Sequence, residues 1–237
     1  MDVLYIVIPA YNEQSNIKEL IDEWYPVIEK HNGDGASRIV IVNDGSKDAT
    51  ADIISKEAET KPLLKLINKP NGGHGPAIMT GYRYAIKNKA DYIFQTDSDR
   101  QTLPSEFEGF WIQRTRFDAI IGRRYLRQDG LSRILVTKAL KLILASIFRR
   151  RIDDANSPYR LMKREALRDA MSYIENCEPL PNIMIAAVFA RERRRVLYKD
   201  ITFRQRQGGV NSINLAKISR IGLDAIARFR RLNKKFL

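Results

Sequence analysis

Tyr92-Ile93-Phe94-Gln95-Thr96-Asp97-Ser98-Asp99-Arg100-Gln101 is the stretch that decides the fold. Residues 92–96 are predicted as a buried strand, and it runs into two carboxylates separated by one residue, then a side-chain amide. Alternate residues of an extended chain point the same way. Asp97, Asp99 and Gln101 can therefore converge on one hard cation, Mg²⁺ or Mn²⁺, which takes oxygen ligands. Magnesium sites commonly use one or two carboxylates and leave other positions to substrate phosphates. A metal–diphosphate site at the carboxyl end of a parallel strand is where open α/β sheets bind ligands. An Asp-x-Asp pair alone is also a common solvated turn, so the flanking chain must carry its meaning.

Working outward, strands and helices alternate through residue 122. Leu4 to Pro9 is an apolar strand, and Ser15 to Lys30 an amphipathic helix capped by Ser15 or Asn16. Arg38 to Val42 is a second strand, followed by Asn43-Asp44-Gly45-Ser46 and a helix over Ala49 to Glu59. Leu63 to Ile67 is a third strand, after which the glycine-rich run Asn71-Gly72-Gly73-His74-Gly75 opens a helix through Lys87. Pro104 starts a further helix, proline being favoured at the first helical position. Ala119 to Gly122 is a short strand. Strands separated by helical spans imply a parallel sheet covered on both faces. From Arg123 the chain becomes more basic and more helical. Helices are expected over Leu131 to Phe148, Pro181 to Arg191 and Ile213 to Leu232, with extended pieces at Ser157 to Met162 and Arg195 to Phe203.

The totals narrow the chemistry. The 237 residues carry a net charge of +13, which favours an anionic partner: nucleic acid, an anionic membrane surface or a phosphorylated substrate. Cys177 is the single cysteine, so no intrachain disulfide forms, and a reducing compartment fits. With His31 and His74 the only histidines, no His/Cys zinc cluster can be assembled, and no Gly-x-Ser-x-Gly elbow is present. No signal peptide is expected from Met1-Asp2-Val3, and no apolar run reaches spanning length. A cytoplasmic location, peripheral on the inner face of the membrane, is the expectation.

Three motifs at three successive strand ends carry a resemblance. The first strand ends Val7-Ile8-Pro9-Ala10-Tyr11-Asn12-Glu13, the second Ile41-Val42-Asn43-Asp44-Gly45-Ser46-Lys47-Asp48-Ala49-Thr50, and the fourth in Asp97-x-Asp99-x-Gln101. Together they resemble family 2 glycosyltransferases of the GT-A fold, in the branch that transfers mannose or glucose to polyprenyl (dolichol) phosphate. The resemblance covers roughly residues 3 to 212. It implies an α/β, Rossmann-like, mostly parallel sheet flanked by helices. It implies a glycosyltransferase domain over 1–212, with a nucleotide-sugar half (1–122), an acceptor half (123–212), and a basic amphipathic helical tail at 213–237. It assigns Pro9, Ala10, Tyr11 and Glu13 to the nucleobase and ribose, Asp44 to a base or ribose donor, and Asp97, Ser98 and Asp99 to the nucleotide-sugar. Asp97, Asp99 and Gln101 become the metal ligands. Glu13 and Asp44 could instead cap helices. The run Gly72 to Gly75 resembles a phosphate cradle, with His74 either touching a phosphate or standing exposed.

The acceptor half decides the subclass. Relatives that act on a hydroxyl carry a Glu-Asp pair and a later Gln-x-x-Arg-Trp, and neither is present here. A phosphate acceptor is already ionised at neutral pH and needs cations rather than a base. Arg124, Asp154 with Ser157 and Arg160, and Arg206 ahead of Gly208, Gly209 and Ser212 resemble that branch's acceptor segments, although Pro158 replaces a usual glycine. Arginine forks suit phosphate oxygens. Arg124, Ser157, Arg160 and Arg206 are therefore the candidate phosphate-binding residues. Asp99, Asp154 and Arg124 are the candidate catalytic ones, Asp154 orienting. An Arg160–Asp154 structural pair is the bland alternative. The basic amphipathic stretch from Ile213, and the helix ending at Arg149-Arg150-Arg151, suit an anionic membrane surface or plain packing on the domain. Such a chain is peripheral or held by a membrane-protein partner. Transfer to a glycan hydroxyl in surface polysaccharide assembly is the competing enzyme reading. A nucleic-acid binder would interleave aromatics with its basic patches, and the terminal stretch offers only Phe229 and Phe236.

Overall fold

The computed structural model describes residues 2–33, 35–124, 141–150, 152–204 and 215–236, the side chains of 215–223 excepted. Its centre is a seven-stranded sheet ordered β3-β2-β1-β4-β6-β5-β7. The strands are β1 (Leu4–Ala10), β2 (Arg38–Asn43), β3 (Leu64–Asn68), β4 (Tyr92–Gln95), β5 (Ala119–Arg124), β6 (Arg160–Lys163) and β7 (Val196–Ile201). The helices are α1 (Ile17–Lys30), α2 (Thr50–Thr60), α3 (His74–Lys87), α4 (Glu108–Trp111), α5 (residues 141–148), α6 (Arg164–Ser172), α7 (Pro181–Arg191) and α8 (Leu215–Lys234).

All seven residues of β1 are buried, as expected of a parallel strand covered on both faces. Strand alternation splits its side chains between two cores. Leu4, Ile6 and Ile8 join α1, whose buried Ile17, Leu20, Ile21, Trp24 and Ile28 recur at helical spacing. Tyr5 and Val7 face α3 and α7 on the other side. Each fully buried aliphatic side chain contributes about 1.5–3 kcal/mol.

The sheet is mostly parallel, with one exception that matters. β6 runs antiparallel to both β4 and β5, while β1 pairs parallel with β2 and β4 and β5 with β7. The chain leaves β5 and enters β6 at the same edge, so the loop before Arg160 lies beside the carboxyl end of β4. Helix α6 is an addition to the sequence reading; its charged sequence hid the short buried face of Ala166, Leu167 and Ala170. Pro104 opens a 3₁₀ turn over Pro104–Glu106 that leads into the short α4, Glu108–Trp111.

The terminal helix is docked. Ala225, Phe229 and Leu232 are buried in the main core, and the Phe229 ring lies 6.4 Å from Phe148 of α5. Phe236 stacks on Tyr173 at 4.5 Å. Its apolar face is therefore spent on the domain over residues 224–236, the packing alternative of the two open for this stretch. Of the helix expected over Leu131 to Phe148, residues 131–140 lie outside the described residues.

Candidate active site

The loops after β1 and β2 are stitched together. The Asn12 N–H donates to Ser46 Oγ at 3.0 Å, the Lys47 N–H to Asn12 Oδ1 at 2.8 Å, and the Glu13 N–H to Thr50 Oγ1 at 2.8 Å. Asn12 takes a left-handed φ of 54°, a conformation asparagine tolerates better than most residues. Pro9 and Ala10 lie within β1, opposite Val42 and Asn43. Glu13 is 6% exposed and accepts from Asn16 Nδ2 at 2.8 Å, while its carbonyl takes the N–H groups of Asn16 and Ile17. It starts α1, and Asn16 makes no side-chain cap bond of its own. Tyr11, 43% exposed, is the member of this quartet that projects.

Asp44 is held closely by the glycine-rich loop. It is 2% exposed. One oxygen accepts from the Gly72 N–H at 3.0 Å and from Lys69 Nζ, and the other from the Gly73 N–H at 2.7 Å. The carboxylate anchors the glycine-rich loop. Gly73, with φ of 94°, turns the chain into α3, a backbone conformation that only glycine adopts readily. Gly75 lies flush on the Glu178–Pro179 backbone; a Cβ there would stand 2.2 Å from the Glu178 carbonyl oxygen.

The loop after β4 is clamped at both ends. Thr96 and Thr102 share a buried hydroxyl–hydroxyl hydrogen bond of 2.6 Å. Arg100, at φ 58°, pairs with Glu23 at 2.6 Å. Gln101 is tied to Arg204 twice: its Nε2 donates to the Arg204 carbonyl at 2.8 Å, and the Arg204 N–H donates back at 2.8 Å. The Gln101 N–H donates to Asp99 Oδ1 at 3.1 Å. Ser98 is buried at 6% exposure. Oδ1 of Asp97 is buried without a hydrogen-bond partner among the described residues, and His74 Nε2 lies 3.6 Å away. No three His, Cys, Asp or Glu side chains gather into a metal cage among the described residues. The residues still fit a hard cation, because an uncommitted buried carboxylate oxygen is an oxygen donor awaiting a charge.

On the acceptor side, Arg124 and Asp154 form a two-pronged ion pair, Nε–Oδ2 at 2.8 Å and Nη2–Oδ1 at 2.7 Å. The side chains are 7% and 12% exposed, and the guanidinium lies 5.3 Å over the Phe203 ring. Asp154 is thus paired with Arg124, not with Arg160. Arg160 is fully buried. It donates to the carbonyls of Ser157 at 2.5 and 3.0 Å, Ala155 at 3.0 Å and Asn182 at 3.0 Å. Burial pushes its guanidinium below the ordinary value. It braces the 155–159 loop from beneath, which corrects its expected role as a phosphate grip. Ser157, also fully buried, accepts the Tyr159 N–H at 3.4 Å through Oγ. Arg206 lies outside the described residues. Sequence reasoning missed Thr96, Thr102, Glu23 and Arg204; the threonines flanking the acidic motif were the visible signal.

A sheet of this order, with its site loops at the carboxyl ends of β1, β2 and β4, defines the GT-A class of α/β fold. The chain belongs to glycosyl transferase family 2, whose description matches residues 5–173. It is similar to a dolichyl-phosphate beta-glucosyltransferase of Trichomonas vaginalis, 37% identical over 106 residues, covering 43% of this chain and 31% of that protein. It is also similar to an undecaprenyl-phosphate 4-deoxy-4-formamido-L-arabinose transferase of Salmonella choleraesuis, 28% identical over 195 residues, covering 81% and 57%. The chain thus spans between 31% and 57% of the length of these two relatives. Among solved structures, glucosyl-3-phosphoglycerate synthase from Mycobacterium tuberculosis, in complex with Mn²⁺, UDP-glucose and phosphoglyceric acid, superposes with a TM-score of 0.66. The match covers 98% of this chain and 80% of that one at 16% identity, a likeness of fold.

Proposed function

We propose that this chain is an inverting glycosyltransferase that moves a hexose from a nucleotide-sugar, of the GDP-mannose or UDP-glucose type, to a polyprenyl phosphate. The supporting observation is the buried oxygen of Asp97 at the carboxyl end of β4, uncommitted among the described residues, in a family whose relatives named above carry lipid-phosphate names. The two halves, 1–122 and 123–212, serve donor and acceptor. Tyr11 offers its exposed ring to the nucleobase, between Pro9–Ala10 and the loop that Asp44 anchors. Asp97, Asp99 and Gln101, together with diphosphate oxygens, would hold Mg²⁺ or Mn²⁺. Bound there, the ion supplies Lewis-acid stabilisation of the departing nucleoside diphosphate.

A phosphate oxygen of the acceptor forms the new bond to the anomeric carbon as the bond to the nucleoside diphosphate breaks. Asp154 holds the Nε–Nη2 edge of Arg124, which leaves Nη1 for an acceptor phosphate oxygen. That bidentate pairing also argues against Asp154 as a base for a sugar hydroxyl, the competing reading. No helix among the described residues is long and apolar enough to cross a membrane. Exposed Arg149, Arg150, Arg230, Lys234 and Lys235 suit peripheral attraction to an anionic inner leaflet, alone or beside a membrane-protein partner.

The test is transfer from radiolabelled UDP- and GDP-sugars to undecaprenyl or dolichyl phosphate in detergent, with Mg²⁺ or Mn²⁺. Asp99→Ala is the control. Metal-dependent labelled lipid, lost in the variant, is the expected result. Donor hydrolysis without lipid product refutes the acceptor assignment.

A further inference from the structure

We propose that His74 is a ligand of the divalent ion at this site and biases it towards Mn²⁺ over Mg²⁺. This rests on the metal–diphosphate reading above and adds a residue that the acidic motif does not contain. His74 Nε2 and Asp97 Oδ1 are 3.6 Å apart. That is long for a hydrogen bond, which spans about 2.7–3.2 Å. Two neighbouring donors each about 2.1–2.2 Å from an octahedral ion stand about 3.0–3.1 Å apart. The exposed imidazole therefore needs to close on Asp97 Oδ1 by only about 0.5 Å for both atoms to share one cation. Asp97 Oδ1 has no other partner among the described residues.

The position of the imidazole is built into the fold. His74 is the first residue of α3. The loop before it is held by Asp44 through the Gly72 and Gly73 amides. The turn after it is seated by Gly75 against Glu178 and Pro179. Two separate elements thus fix the backbone on either side of His74, while its side chain stays 55% exposed and open to an incoming metal–diphosphate. The remaining donors are oxygens. Mg²⁺ prefers an all-oxygen shell and sheds water reluctantly. An imidazole nitrogen instead favours first-row transition ions.

The test is equilibrium binding, independent of turnover. Free Mn²⁺ is followed by its electron paramagnetic resonance signal, with and without UDP or GDP. Mg²⁺ is measured by competition. Wild type, His74→Ala, His74→Gln and Asp97→Ala are compared, with thermal unfolding as the check on folding. Loss of the imidazole is expected to weaken Mn²⁺ by about tenfold or more and Mg²⁺ by less than about twofold, lowering the Mn²⁺/Mg²⁺ preference. His74→Gln, which offers an oxygen, should keep Mg²⁺ affinity and lose the Mn²⁺ advantage. Asp97→Ala should lose both ions. Unchanged affinities in His74→Ala, or equal weakening of both ions, overturn the proposal and leave the metal site standing. Wild type that binds neither ion, even with a nucleoside diphosphate, removes the metal site and this proposal with it.

Discussion

Arg160→Met separates a structural arginine from a phosphate-binding one. The side chain is fully buried, and its donors satisfy the carbonyls of Ala155, Ser157 and Asn182. Methionine fills much of the same volume but makes none of these bonds. Each buried carbonyl left without a partner costs about 1–3 kcal/mol. Removing the buried charge returns part of that through relieved desolvation. A net loss of about 3–5 kcal/mol is expected, which for a domain of this size lowers the midpoint by about 6–20 °C. Calorimetry on wild type and variant reads it directly. The loop over residues 155–159 should also lose protection in hydrogen exchange, with Tyr159 and the Ser157 turn affected first. A variant that melts within about 2 °C of wild type, while its apparent affinity for the lipid phosphate collapses, would refute this reasoning and return Arg160 to the acceptor.

Gly75→Ala gains about 1 kcal/mol of helix propensity, yet its Cβ would meet the Glu178 carbonyl at 2.2 Å. Net destabilisation of about 1–3 kcal/mol is expected by thermal unfolding, and a raised midpoint would show that the contact yields freely. Tyr11→Ala should weaken donor binding by about 5- to 150-fold, the equivalent of about 1–3 kcal/mol of base stacking, read by calorimetric titration with UDP and GDP; equal affinity would remove Tyr11 from the base site. His31 is packed 4.7 Å from Trp111 and 5.4 Å from Phe107, and burial pushes its imidazole below the ordinary 6.5, with Glu108 pulling the other way. The unfolded chain then binds the extra proton first. Its contribution to stability is full above pH 6.5 and is lost as pH falls towards the lower native value. His31→Gln should abolish that component of the denaturant-unfolding profile, and an unchanged acid slope would exclude it.

Much of the donor half was legible because its signals are local. Apolar runs of strand length, glycines at loop ends and carboxylates just past a strand are properties of neighbouring residues, and they placed Tyr11 and Asp97 just past the carboxyl ends of β1 and β4. Asp44 was located correctly, but the acceptors and donors around it were not foreseeable. Its partners, Lys69, Gly72 and Gly73, lie more than twenty residues away and meet it only because β3 lies beside β2. The acceptor half was harder to read. Nothing in the run Asp154 to Arg160 tells that β6 is antiparallel, and that reversal puts Arg160 under the loop and Asp154 against Arg124.

By itself, the sequence determined the alternation of strands and helices, the positions of the strand-end motifs and the family to which they belong. These follow from periodicity and from chemistry confined to a few adjacent residues. Tertiary structure decided which polar groups are consumed and which remain available. It buried Arg160, tied Asp44 to the glycine loop, folded Ala225, Phe229 and Leu232 of α8 onto the core and left one oxygen of Asp97 beside His74 uncommitted among the described residues. Each outcome depends on contacts between segments far apart in the chain. A buried donor or acceptor takes whichever partner the packing brings within about 3 Å.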